Sequence, residues 1–246
     1  MSYTHLAAIY DQLMAETPYD TWIAWAEKHW QQHGKPQSII DLGCGTGNIA
    51  IPLAQKGYQV TGVDLSSEML TAAEAKARAA GVRIHWTEQD MCDLELPVAD
   101  AIISFLDCIS YVTEEEDVKA AFANAFAHLR PGGTFLFDVH SPYKILEFFG
   151  NHTFTLLEDG INYVWQCFCD PLRIEVEHQL TFFIQQPNGL YERLEEDHLQ
   201  RAYQPMLMQK WLKDAGFVDI TITADFTDEP PQHTSERLFF TARRPE

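Results

Sequence analysis

The sequence predicts an α/β chain: a seven-stranded, mostly parallel sheet with helices on both faces and an antiparallel β insertion after strand five. Three observations carry this reading. Apolar strand-like runs alternate with helical patterns five times between Ser38 and Val139, the rhythm of a parallel sheet. Over residues 152 to 202 that rhythm breaks, and period-two segments follow one another without helices between them. A last helix and two strands then complete the set, near Phe217 to Asp225 and Glu236 to Arg243.

Each element has a local reason. Residues 5 to 33 read as one or two aromatic-rich helices divided at Thr17-Pro18. Strand one is Ser38 to Leu42, and a helix from Asn48 to Lys56 closes on Gly57. Strand two is Gln59 to Leu65; Ser66 caps the next helix, through Ala80, with Glu68 in its first turn. Strand three spans Val82 to Glu88 and strand four Ala99 to Phe105. Thr113 and Glu116 read as a capping box for a helix to His128. Arg130-Pro131-Gly132-Gly133 reads as the turn into strand five, Thr134 to Val139.

The inserted strands are Thr153 to Leu157, Asn162 to Phe168, Arg173 to Ile184 and Tyr191 to Tyr203. Pro187-Asn188-Gly189 makes a hairpin of the last two. A helix from Pro205 ends near Ala215-Gly216. The expected division is a core of residues 1–149 and 204–246, with 1–35 as a helical lid and 150–203 folded over the sheet's carboxyl edge.

A formal net charge of −19 excludes a general affinity for DNA or RNA, which needs a dense basic face. The same acidity tolerates a cationic ligand better than a polyphosphate. Five cysteines at uneven spacing point to free thiols in a reducing cytoplasm. Cys167 and Cys169 share a strand face without a second Cys or His pair at ligand spacing, so no metal is expected. The chain has no apolar run of membrane-spanning length and no secretion-signal pattern at Met1 to Met14.

The chemistry centres on Ser38 to Leu65. An apolar run ends in Asp41, passes through Gly43-Cys44-Gly45-Thr46-Gly47 and, after a helix, reaches a second run ending in Asp64. Dinucleotide enzymes use G-x-G-x-x-G to face a helix N-terminus toward pyrophosphate. Here Gly47 comes one residue early. A carboxylate at Asp41 would repel pyrophosphate but suits an ammonium group, and one at Asp64 can accept from both ribose hydroxyls. Ribose without diphosphate, beside an amino-acid moiety, describes S-adenosylmethionine. Cys44 reads as a small residue fitting a tight turn.

On DLGCGTG at 41–47, VTGVDLSSEML at 60–70, the Asp90-Met91 pair and LRPGG at 129–133, the chain resembles the class I S-adenosylmethionine-dependent methyltransferases, whose sheet is Rossmann-like. The resemblance implies the donor's surroundings. Asp41, Gly43, Cys44 and Gly45 would line its methionine moiety, and Asp64 would hold the ribose. Leu65 and Met69 would lie on the adenine, Asp90 would accept from its amino group, and Met91 would bond it through the backbone. The backbone of Ser104, Phe105 and Leu106 would meet the ligand amine. The insertion and its Glu-x-His element look like the small-molecule branch of the family, where amino-sugar N-methyltransferases belong.

Candidates for proton transfer are His140, just past strand five, and Glu196 and His198, which share one face of an extended strand. Tyr10, Tyr19 and Trp22 offer aromatic faces to a cation. The acceptor side adds Asp107, Tyr111, Trp165 and Arg201. The expected activity is methyl transfer to a small polar acceptor, nitrogen ahead of oxygen, by a monomer or homodimer without nucleic-acid or membrane partners. The alternatives are a Rossmann-like oxidoreductase using NAD and a non-catalytic binder of S-adenosylmethionine.

Overall fold

A computed structural model describes residues 10–158 and 160–246, so residues 5–9 of the expected first helix lie outside the described residues. Helix α1 (Tyr19–His33) follows Pro18 and buries Trp22, Ile23, Ala26 and Trp30 along one stripe. The main sheet begins with β1 (Ser38–Leu42), β2 (Gln59–Asp64), β3 (His85–Glu88), β4 (Ala99–Ser104) and β5 (Leu129–His140). Helices α2 (Ala50–Gln55), α3 (Ser67–Ala79) and α4 (Glu115–Ala127) alternate with those strands.

A second sheet follows, made of β6 (Thr153–Leu157), β7 (Ile161–Asp170), β8 (Glu175–Gln185) and β9 (Tyr191–Arg201), each antiparallel to its neighbours. Helix α5 (Pro205–Asp214), β10 (Val218–Ala224) and β11 (Arg237–Arg243) return the chain to the main sheet. Its strand order is β10-β11-β5-β4-β1-β2-β3, with β11 antiparallel to both neighbours. Strand β1 pairs in parallel with β2 on one side and β4 on the other. The order reverses there, so a ligand crevice opens beyond the carboxyl ends of β1 and β4.

Both faces of this sheet are covered, and the two-residue strand period sorts its side chains. Ile39, Ala101, Ile103, Leu136 and Phe239 pack with Trp22, Trp30 and Leu53 of α1 and α2. Their neighbours Ile40, Ile102, Phe135, Phe137 and Phe240 pack with Phe122 of α4 and with Met208, Trp211 and Leu212 of α5. Phe137 and Phe240 stack with ring centroids 4.7 Å apart. Residues on the second sheet alternate in the same way: Cys167, Val176, His178 and Gln200 are buried, while Phe168, Gln179, Asp197 and Leu199 are exposed.

Two local expectations need correction. Thr113 and Glu116 form no capping box: Glu114 stands at the N-cap of α4 without a side-chain bond, and Glu116 pairs with Lys119 at 2.7 Å. Three acidic residues in the first turn of α4 offset its exposed N–H dipoles instead. LRPGG is not a separate turn. It is the irregular start of β5, where the register to β4 shifts between Ala99 and Ala101. Ser66 does cap α3, its hydroxyl accepting from the Met69 N–H at 3.2 Å. Among the described residues no helix is long and apolar enough to cross a membrane.

Candidate active site

Strand β1 delivers Asp41 to the crevice. The side chain is buried and its Oδ2 has no hydrogen-bond partner in the protein. Burial, with Asp64 nearby, pushes this carboxyl up to about 7. The chain then turns through Gly43, Gly45 and Gly47, all left-handed at φ +71°, +53° and +80°. A Cβ at Gly43 would lie 1.9 Å from Cys108 Sγ, whereas one at Gly45 would meet nothing within 4 Å. Bare main chain therefore faces open space at Gly45. Burial pushes the Cys44 thiol far up, in keeping with a packing role.

Asp64 does more than end β2. Its Oδ2 accepts the Gly45 N–H at 2.8 Å and its Oδ1 accepts the Ser66 N–H at 2.9 Å, tying two turns together. Each oxygen keeps a lone pair for a ligand hydroxyl. Leu65 beside it is 69% exposed, an apolar surface at the crevice rim. Met69 and Met91 are half-buried, and Asp90 Oδ1 accepts the Cys92 N–H at 2.8 Å, leaving the other oxygen free.

Beyond β4 the backbone is strained. Ser104 is buried with its hydroxyl unpartnered, Phe105 packs on Trp25, and Leu106 and Asp107 both adopt left-handed angles (φ 57° and 53°). Asp138, fully buried in β5, holds this turn: its carboxylate accepts the N–H of Leu106 at 2.9 Å and of Asp107 at 3.1 Å. Arg237 in turn bridges Asp138 and Asp107, the latter at 2.8 Å. Asp107 also meets His140 Nε2 at 3.3 Å and the Gln200 amide at 2.8 Å. Burial works to raise the Asp107 carboxyl, but the charges of His140 and Arg237 hold it well below the usual range. At Asp138 burial outweighs Arg237 and the shift is upward.

The N-terminal segment is pinned to the glycine turn. Asp11 accepts from Thr46 Oγ1 at 2.6 Å, Asn48 Nδ2 at 3.1 Å and Lys76 Nζ at 2.7 Å. Tyr19 accepts from Asn48 at 2.9 Å, and the nearby Tyr10 phenol is pushed up by burial and by Tyr19 and Asp107. On the inner face of β9, Glu196 and His198 are half-buried and make no hydrogen bond to the described residues. His198 meets Tyr111 edge-on at 5.9 Å. Burial lowers His198, and burial with Asp197 raises Glu196.

Three of the residues expected to face an acceptor are engaged elsewhere. Trp22 is buried with its N–H on Asp138 at 2.8 Å. Trp165 packs against Phe149 and Phe154 and donates to His178 at 3.0 Å. Arg201 donates to the carbonyls of Thr113 and Arg173 at 2.7 and 3.0 Å, at the neck of the second sheet. His140 is buried with Nε2 on Asp107 and Nδ1 unpartnered. Asp11, Asp138, Arg237 and Gln200 escaped the sequence reading. Asp138 had a signal, as the one charge inside the apolar run FLFDV.

A family model described as a methyltransferase domain matches residues 39–133. A protein of Geobacillus sp. (strain WCH70) that carries a methyltransferase name is 44% identical, across 99% of this chain and 100% of its own. The chain belongs to the S-adenosylmethionine-dependent methyltransferases. The crystal structure of a family member from Clostridium acetobutylicum ATCC 824 superposes with TM-score 0.90 at 30% identity, covering 99% of each chain. An amino pentose methyltransferase from Micromonospora echinaspora, solved with S-adenosylmethionine bound, shares the fold at TM-score 0.76 and 19% identity over 96% of each chain. The enzyme therefore takes S-adenosylmethionine as methyl donor, which removes the NAD alternative. The site fits that donor: an unpartnered buried carboxylate oxygen at Asp41, open space at Gly45 and an exposed Leu65 stand along one crevice.

Proposed function

We propose that this methyltransferase methylates a small polar or cationic acceptor, nitrogen ahead of oxygen, between the carboxyl edge of the main sheet and the second sheet. One observation carries the reading: Glu196 and His198 are half-buried ionisable groups on the same inward face, without partners among the described residues. A carboxylate and a neutral imidazole so placed suit an amine. Glu196 draws the ammonium form, and His198 takes the proton that must leave before nitrogen can attack. His140, held by Asp107, is the third group proposed for proton handling. Tyr10, Tyr19 and Tyr111 supply aromatic walls and hydroxyls around that space. Residues 150–203 then act as the cover and residues 1–35 as the lid.

On the donor side, Asp41 and the main chain of Gly43 to Gly45 hold the amino-acid end, with the backbone of Ser104 to Leu106 beyond it. Asp64 holds the ribose, Leu65 and Met69 flank the adenine, and Asp90 and Met91 read its edge. When bound, S-adenosylmethionine supplies a methyl carbon on a sulfonium. The chain's own contribution is to align donor and acceptor and exclude water. The reading keeps the enzyme in the cytoplasm, as a monomer or homodimer acting on a small molecule.

Turnover across a panel of small amines and hydroxyl compounds tests the acceptor class, and transfer confined to oxygen would overturn the preference for nitrogen. His198→Gln should lower turnover about a hundredfold or more. S-Adenosylhomocysteine affinity should stay within about threefold, since His198 lies on the acceptor side. Unchanged turnover in both His198→Gln and Glu196→Gln would remove this face from the reaction.

Asp41 makes donor binding proton-linked. Its carboxyl stands near 7 in the free protein, and an ammonium favours the ionised form. Affinity for S-adenosylhomocysteine should therefore rise with pH and level off above about 8, with up to ~1 proton released on binding below that plateau. Calorimetry in buffers of different ionisation enthalpy reads the proton directly. In Asp41→Asn the linkage should vanish; its persistence there would assign the proton to another group.

A further inference from the structure

The second sheet touches the donor turn through one directed chain of hydrogen bonds. The Trp165 indole N–H donates to His178 Nδ1 at 3.0 Å. His178 Nε2 stands 3.1 Å from Gln200 Oε1, and the Gln200 amide donates to Asp107 Oδ2 at 2.8 Å. The ends of this chain dictate its direction. A carboxylate can only accept, so the Gln200 NH2 must face Asp107 and its Oε1 must face His178. An indole N–H can only donate, so His178 Nδ1 must be bare. The imidazole is thereby restricted to its neutral Nε2–H tautomer. Burial agrees, lowering this histidine to about 4, with His140 and His198 adding to the effect and Gln200 and Asp107 opposing it.

The chain ends at a sensitive place. Asp107 is the second residue of the left-handed pair that follows β4. The backbone leading into that pair is where the proposed reading puts the donor's amine, and this inference rests on that reading. His178 and Gln200 are both buried, at 4% exposure each, so no water competes for their bonds.

We propose that Gln200, backed by His178, is a positioning residue that couples the donor turn to the acceptor face of the second sheet. His178 and His198 are paired across β8 and β9, and Gln200 lies two residues beyond His198 on the same face. Fixing Gln200 on Asp107 therefore fixes the height of Glu196 and His198 over the crevice. A loaded donor turn holds Asp107 still, and the acceptor face is ordered with it. Donor binding thus prepares the acceptor side before the acceptor arrives.

Amide hydrogen exchange on the full chain, with and without saturating S-adenosylhomocysteine, tests this without knowing the acceptor. The donor product should slow exchange in β8 and β9 about tenfold in the wild type. Gln200→Met keeps length and volume but cannot donate, and it should reduce that slowing to about twofold or less while the main sheet still responds. Equal slowing of β8 and β9 in both proteins would overturn the proposal. Nitrogen-15 spectra of wild-type histidines supply a check that needs no variant. His178 should show the Nε2–H tautomer at about pH 6, with resonances that move when S-adenosylhomocysteine binds. A protonated or Nδ1–H ring, or resonances indifferent to the ligand, would also overturn it. If S-adenosylhomocysteine binds but the second sheet does not respond, this inference alone fails; if it does not bind the wild type, the donor assignment beneath it fails first.

Discussion

Arg237→Leu should destabilise the enzyme by about 3 to 5 kcal/mol, lowering its melting temperature by roughly 10 °C. The guanidinium bridges Asp107 and Asp138, the second of which has no solvent exposure. Removing it leaves Asp138 buried without its cation and Asp107 with His140 alone, at 3.3 Å, and breaking a buried pair in this way is strongly destabilising. The pH dependence identifies the cause. In the wild type Asp107 is held low, so its contribution is present above the unfolded carboxylate range and is lost as pH falls through its folded value. In the variant both carboxyls shift upward, so protonation relieves the repulsion. The deficit should accordingly be larger at about pH 8 than at about pH 5. A deficit that stays constant across that range, in thermal or denaturant melts, would mean that lost packing dominates. Arg237→Lys should fall between the two, because an ammonium keeps the charge but cannot fork to both partners.

Asp64→Ala should cut affinity for S-adenosylhomocysteine by at least about a hundredfold, since bonds to a charged acceptor are worth ~1.5 to 3 kcal/mol each and two ribose hydroxyls are at stake. Part of the loss is indirect. The same carboxylate accepts from Gly45 and Ser66, so its removal also loosens the glycine turn and the start of α3. A truncated probe separates the ends of the site. Methylthioadenosine keeps the ribose and lacks the amino acid, so Asp64→Ala should weaken it about as severely as the full ligand. Asp41→Asn should weaken only the full ligand. Calorimetry on the four combinations checks both assignments, and equal sensitivity of methylthioadenosine to Asp41→Asn would show that Asp41 does not read the amino-acid end.

Much of both sheets was legible because local rules decide most of it. Ser66 before an amphipathic run, Gly57 and Gly81 after helices, and the turn at Pro187-Asn188-Gly189 each mark a boundary whatever the rest of the chain does. The glycine turn was legible for the same reason: a backbone that must be left-handed three times in five residues leaves a composition mark. The polar network was not. Arg237 meets Asp107 across 130 positions and Gln200 meets it across 93, and nothing in the local sequence of ERLFF or HLQRA announces such a partner. The indole N–H bonds of Trp22 and Trp165 were hidden for a related reason. An aromatic near a site can wall a ligand or donate to a buried acceptor, and only the fold tells which. The Thr113 and Glu116 spacing matched a capping box, but α4 starts one residue later, with Glu114 at its N-cap, and spacing alone does not fix the residue at which a helix begins.

The second sheet leaves the core just after His140 and returns just after Gln200, and both residues rest on the carboxylate of Asp107. To the core, then, the whole excursion has the footprint of a short loop whose two ends are stitched at one point. Closing a loop grows only slowly more costly with its length. Such an arrangement makes the sheet an exchangeable cassette. Changes to its inner face leave the core's own path untouched as long as His140 and Gln200 keep their places on Asp107.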